Sequence, residues 1–118
     1  MLSLGPATKV HLLAGATDMR LGFEGLLALA SGLLREDPLS GHLFVFCNKH
    51  RTRLKALYWD GSGLWVCAKR LEKGRFHWPQ PPAQGASRKV VLTQAELTLL
   101  LAGIDLEGTQ RRAWHRVG

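Results

Sequence analysis

Apolar positions recur along this chain with two different periods, and the change of period marks its elements. Leu21, Leu26, Leu29, Leu33 and Leu34, with Phe23 and Leu27 at the margins, fall at helical spacing and predict a helix over about residues 18–35. Thr17 or Asp18 offers a side-chain oxygen to the unpaired amides of its first turn, and Pro38 disfavours helical geometry at Asp37 and ends it. Gly22, Gly25 and Gly32 each weaken this helix by up to about 1 kcal/mol relative to Ala, and they are read as room for another backbone to approach. A second helix over about residues 94–102 is announced by Thr93-Gln94-Ala95-Glu96. This is a capping box in which the Thr93 hydroxyl and the Glu96 carboxylate each accept from the other's amide. Leu97, Leu99, Leu100 and Leu101 follow it.

Elsewhere the period is two. Lys9–Leu13 alternates as a short strand. Leu43–Cys47 is apolar at every position, which predicts a strand buried on both faces at the centre of a sheet. Leu54–Trp59, Leu64–Arg70 and Arg75–Trp78 follow, separated by Asp60-Gly61-Ser62-Gly63 and Glu72-Lys73-Gly74, whose glycines can take positive φ. On the strand ending at Trp59, Lys55, Leu57 and Trp59 share one face, and Leu54, Ala56 and Tyr58 the other. The expected architecture is an α+β fold: an antiparallel sheet of four to five strands, with a meander in residues 42–78, packed against the two helices. Residues 1–105 read as a single domain, residues 79–85 as a proline-rich linker within it, and residues 106–118 as a basic, mobile tail.

Composition adds a direction. The 118 residues suit one domain, and 46% hydrophobic residues argue against disorder. A formal net charge of +7 and a pI near 10.1 call for a polyanionic partner, nucleic acid ahead of a membrane surface. The charge is concentrated in Gly41–Pro79, where Lys49, Arg51, Arg53, Lys55, Lys69, Arg70, Lys73 and Arg75 face only Asp60 and Glu72. Cys47 and Cys67, each in an apolar run, read as buried, reduced thiols rather than a disulfide. No stretch approaches the roughly 20 apolar residues of a membrane span, and the start of the chain lacks a signal peptide's basic region and apolar core. The expected location is the cytoplasm.

For catalysis the chain offers little. No serine sits in a nucleophile-elbow pattern, no glycine-rich phosphate loop is followed by lysine, and the carboxylates are scattered. His42, Cys47, His50, Cys67 and His77 lack the spacing of a zinc site. The expectation is a protein that is no enzyme and needs no cofactor or metal. Phosphate contact fits better: Lys49, Arg51, Arg53, Lys55, Lys69, Arg70, Lys73 and Arg75 are the expected DNA-binding residues, with Arg20 as an outlying addition. Three of them, with His50, lie in the Asn48–Arg53 loop, where there is no core to fill. Tyr58, Trp59, Trp65, Phe76 and Trp78 are interleaved with the cations and offer base stacking, although Tyr58, Phe76 and one tryptophan are expected in the core.

Four groups of residues also carry a resemblance. They are Thr17-Asp18-Met19-Arg20 with Gly22-Phe23 and Gly25-Leu26; Asp37-Pro38 with Ser40-Gly41-His42-Leu43-Phe44-Val45-Phe46; Trp59-Asp60-Gly61 with Gly63-Leu64, Lys69–Phe76 and Trp78-Pro79; and Leu100-Leu101 with Gly103-Ile104-Asp105. In this order and spacing, from about Lys9 to Asp105, the chain resembles the small accessory proteins called TnpB of the insertion-sequence-sixty-six group. These are encoded beside the transposase of bacterial mobile genetic elements and are unrelated to the RNA-guided nuclease of the same name. The chain departs from that pattern in the loop Asn48–Arg53 and after Asp105. The resemblance implies an accessory role in DNA transposition, DNA binding at insertion-sequence ends or without sequence preference, and a separate transposase as the catalytic partner. It carries over no catalytic residues. The alternative is a module that docks on the transposase without touching DNA, and self-association is left open.

Overall fold

Five consecutive apolar residues can be buried only where a packed layer covers each face of a strand, and the chain meets that demand at Leu43–Cys47. The computed structural model describes residues 5, 7–81 and 87–102. In chain order it contains β1 (Val10–Leu13), α1 (Phe23–Gly32), β2 (Leu43–Cys47), β3 (Arg53–Trp59), β4 (Leu64–Arg70), β5 (Lys89–Leu92) and α2 (Gln94–Leu101). One sheet has the order β4-β3-β2-β1-β5. β2, β3 and β4 form an antiparallel meander, with Val45 opposite Ala56 and Ala56 opposite Cys67. β5 is antiparallel to β1, with Leu12 opposite Val90. The α+β class, a sheet of five strands and two helices are as expected, but the fifth strand is β5, read from sequence only as an extended lead-in, and not residues 75–78.

β2 is buried at all five positions. On one face Phe44, Phe46, Leu57 and Leu13 pack with Leu26, Ala30 and Leu34 from α1 and its end. On the other, Val10, Leu12, Leu43, Val45, Cys47, Leu54, Val90 and Leu92 pack with Leu97 and Leu100 of α2 and with Phe76 and Trp78. The sheet therefore lies between two apolar layers.

Four features differ from the pattern-based expectation. β1 joins β2 in parallel, Val10 opposite Leu43, because the connection through α1 is long enough for a crossover. Residues 75–78 form no strand. The Trp78 amide donates to the Phe76 carbonyl, while the Trp78 indole donates to the Leu13 carbonyl, which draws this segment under the sheet rather than along the edge of β4. α1 begins at Phe23, not near residue 18, because the Asp18 carboxylate accepts from the Arg20 amide and guanidinium and closes a local turn instead. It ends at Gly32, well before Pro38, and Arg35 adopts φ +54 just beyond it. The helix glycines meet no neighbouring backbone. A Cβ at Gly25 would lie 2.6 Å from the Leu21 side chain, and at Gly22 and Gly32 it would meet open space.

α2 starts as read: the Thr93 hydroxyl accepts from the Glu96 amide, and the Glu96 carboxylate accepts from the Thr93 amide. Gly61 and Gly74 take φ +99 and +73 in their turns. The expected domain limit at residue 105, the tail 106–118 and most of the linker lie outside the described residues. Among the described residues no helix is long and apolar enough to cross a membrane. Because Phe44 is fully buried against α1, Phe44→Ala is expected to destabilise the fold by about 3–5 kcal/mol, read from urea denaturation.

Candidate nucleic-acid interface

The loop between β2 and β3 is shaped by one asparagine. Asn48 Oδ1 accepts from the amides of Thr52 (2.9 Å) and Arg53 (3.1 Å), and its Nδ2 donates to the Thr52 hydroxyl. That closes the loop tightly enough to hold Arg51 at φ +61, a left-handed conformation that costs an L residue on the order of 1–2 kcal/mol. The same two residues tie down the chain after β4. Leu71 donates its amide to the Thr52 carbonyl at 2.8 Å, and Phe76 donates to the Arg51 carbonyl at 2.7 Å. Two basic segments separated in sequence are thus joined backbone to backbone.

The joined segments lie at one end of the sheet. Lys49 and Arg53 are exposed and Arg51 is half-buried. Arg53 lies directly opposite Arg70 across β3 and β4, and Lys69 is exposed on the other face. Arg70 pairs with Glu72 at 3.3 Å with both groups exposed, while Lys73 and Arg75 are exposed without an ion pair among the described residues. Lys55 is placed differently. It is half-buried and its ammonium donates to the Leu21 carbonyl at 2.9 Å, tying the approach to α1 onto the sheet.

Parallel pairing of β1 with β2 adds to this end. Both strands finish there, and the Thr17 amide donates to the Cys47 carbonyl at 2.7 Å, so the turn carrying Arg20 lies beside the Asn48–Arg53 loop. Arg20 is exposed and grips Asp18 through Nε and Nη2, which holds that carboxyl down at about 2. Arg88 reaches the same end and donates through Nε and Nη2 to the Ala14 carbonyl. Sequence reasoning missed Arg88, because nothing in its local pattern reveals the sheet edge on which β5 pairs. The aromatics do not follow the cations. Phe76 and Trp78 are buried, Tyr58 packs against the same core, and exposed Trp65 sits at the hairpin end, where its indole donates to Asp60 at 2.7 Å.

Comparison with known proteins bears on this arrangement. Residues 8–111 match the family described as IS66 Orf2 like protein. The chain belongs to that family. Two relatives from Sinorhizobium fredii (strain NBRC 101917 / NGR234) accompany it, both described as uncharacterized proteins. The one designated y4hO is 40% identical over 105 residues, covering 89% of this chain and 88% of its own. The other, y4jC, is 37% identical over 111 residues, covering 92% of each. No solved structure matches. Membership gives the chain a role in insertion-sequence transposition.

A second polar cluster lies on the α1 side of the sheet, in a cavity of about 870 Å³ lined by Lys9, His11, Glu36, His42, Lys89 and Thr93, among others. Lys89 pairs with Glu36 and holds its carboxyl below the usual range. His42 Nδ1 accepts from the Lys9 amide at 3.0 Å. His11 is buried, stacked on Phe44 at 5.4 Å, and neither ring nitrogen has a hydrogen-bond partner among the described residues. Among those residues no three or more His, Cys, Asp or Glu side chains are grouped to hold a metal. Cys47 is fully buried, which pushes its thiol up to about 12, whereas Cys67 is half-buried on an edge strand rather than enclosed as expected.

Burial pushes the His11 imidazole below its ordinary 6.5, so the folded state binds its proton less readily than the unfolded chain does. The stability His11 contributes in its neutral form is lost as pH falls below about 6.5. Urea titrations on either side of that value should show a steeper loss at the acid side for the wild type than for His11→Phe.

Proposed function

We propose that this protein is a non-enzymatic accessory factor of insertion-sequence transposition that binds DNA through the basic end of its sheet and acts with the transposase encoded by the same element. The observation that carries this reading is the pair of hydrogen bonds from Leu71 to Thr52 and from Phe76 to Arg51. They make one surface of two basic segments that are distant in sequence. Lys49, Arg51, Arg53, Lys69, Arg70, Lys73 and Arg75 contact phosphates there, releasing counterions and supplying affinity with little sequence preference. Glu72 does not obstruct this, since an exposed ion pair is worth only about 0–1 kcal/mol and Arg70 exchanges it for a phosphate. Lys55 anchors the Leu21 carbonyl instead of meeting DNA, and Arg20 and Arg88 flank the surface while holding local structure.

Binding of duplex and single-stranded DNA, titrated against salt, tests the proposal. The Lys49→Ala/Arg53→Ala/Arg75→Ala variant is expected to flatten the slope of log affinity against log salt by about 2–3, near 0.9 for each lost phosphate contact on duplex. Lys9→Ala, at the far end of β1's approach, should leave it unchanged. Absence of salt-dependent binding in the wild type overturns the reading. If a complex with the transposase then survives nuclease treatment, a protein-docking module replaces it.

A further inference from the structure

β4 forms one edge of the sheet, and its seven residues pair only with β3 among the described residues. Two hydrogen bonds fix the phase of that pairing. The Asp60 amide donates to the Gly63 carbonyl at 3.1 Å at the hairpin, and the Leu71 amide donates to the Thr52 carbonyl at 2.8 Å beyond the other end. In an antiparallel ladder, hydrogen-bonded pairs alternate with non-bonded ones, so Trp65, Cys67 and Lys69 bond inward to Tyr58, Ala56 and Leu54. The amides and carbonyls of Leu64, Val66, Ala68 and Arg70 therefore point outward. No proline, bulge or covering segment blunts this edge among the described residues, and such an edge is a template for another strand.

The two ends of β4 carry opposite charge. The hairpin end bears Asp60, held ionised by the Trp65 indole and by the amides of Ser62 and Gly63, while the other end bears Lys69, Arg70, Lys73 and Arg75 against the single carboxylate of Glu72. A parallel partner of the same sequence would set cation against cation. An antiparallel one sets each basic end against the other's hairpin. Trp65, 47% exposed, points to the same face as Cys67 and Lys69. Those two residues, with Leu54, Ala56, Leu97 and Leu101, line an apolar groove of about 760 Å³ under α2.

We infer that β4 pairs antiparallel with β4 of a second copy of this chain, joining two sheets into one across a two-fold axis. The register that uses all seven residues places Cys67 on the axis. It bonds Leu64 with the partner's Arg70, and Val66 with the partner's Ala68, reciprocally. Each Trp65 then lies opposite the partner's Lys69, at the rim of the partner's apolar groove, with an ammonium beside its ring. Charge, edge backbone and exposed indole are all satisfied by one symmetric arrangement, which shares only the Lys69 side chain with the DNA reading.

The arrangement makes Cys67 face its own copy as a non-hydrogen-bonded pair, with Cα atoms about 4.5 Å apart, inside the span a disulfide bridges. Sedimentation of the full chain should give twice the 13.1 kDa mass at high concentration. Diamide, which takes two electrons and two protons from a thiol pair, should then cross-link the wild type but not Cys67→Ser, which stays a non-covalent dimer. Cys47 is fully buried and cannot substitute. Ala68→Pro removes an outward amide without touching the β3 ladder, and should yield a folded monomer by sedimentation and circular dichroism. A wild type that is monomeric at every concentration overturns the inference, leaving the groove to a different partner. A dimer that diamide does not link through Cys67 overturns it equally, whether or not the proline variant folds.

Discussion

The structure depends on the need to cover β2 on both sides. A strand with Leu43, Phe44, Val45, Phe46 and Cys47 exposes apolar surface whichever way its pleat faces, and burying each such side chain is worth roughly 1.5–3 kcal/mol. α1 with Leu26 and Ala30 meets Phe44 and Phe46, while α2 with Leu97 and Leu100 joins the cluster around Leu43 and Val45. Phe76 and Trp78 complete the second layer from a segment that is not itself a strand. The glycine-bearing α1 makes few strong local interactions of its own, and its apolar contact with the sheet is what holds it.

Charge follows from topology. With β1 parallel to β2, the ends of β1, β2 and β4 and the starts of β3 and β5 converge at one end of the sheet, and the loops and strand ends there carry most of the exposed arginine and lysine among the described residues. The backbone bonds at Thr52 and Arg51 make this a fixed surface rather than a set of independent loops. The opposite end carries the Asp60 hairpin. This polarity suits contact with a polyanion, and it also makes β4 electrostatically self-complementary only in the antiparallel sense.

The strands from Leu43 to Arg70, both helices and the Thr93 capping box were legible because each rests on local periodicity or a short-range hydrogen-bond pattern. The basic loop Asn48–Arg53 was legible for the same reason, its cations having no core to fill. Lys55 was not distinguishable from its neighbours. Its period-two position says which face it occupies, but only the packing of the Leu21 turn against that face supplies the carbonyl that binds it. Trp65 and Trp78 look alike in sequence, yet one is exposed and one buried, because the chain after β4 turns under the sheet.

By itself the sequence determined that β2 is central, that a charge-rich meander surrounds it, and that two helices cover it, since side-chain alternation and hydrophobicity act residue by residue. Only the tertiary structure decided that β1 runs parallel to β2, that Arg20 and Arg88 reach the basic end, and that the outward amides of β4 fall on Leu64, Val66, Ala68 and Arg70. Those outcomes depend on which strands become neighbours and in what register. Pairing of that kind is settled by long-range burial and backbone hydrogen bonds that no local window contains.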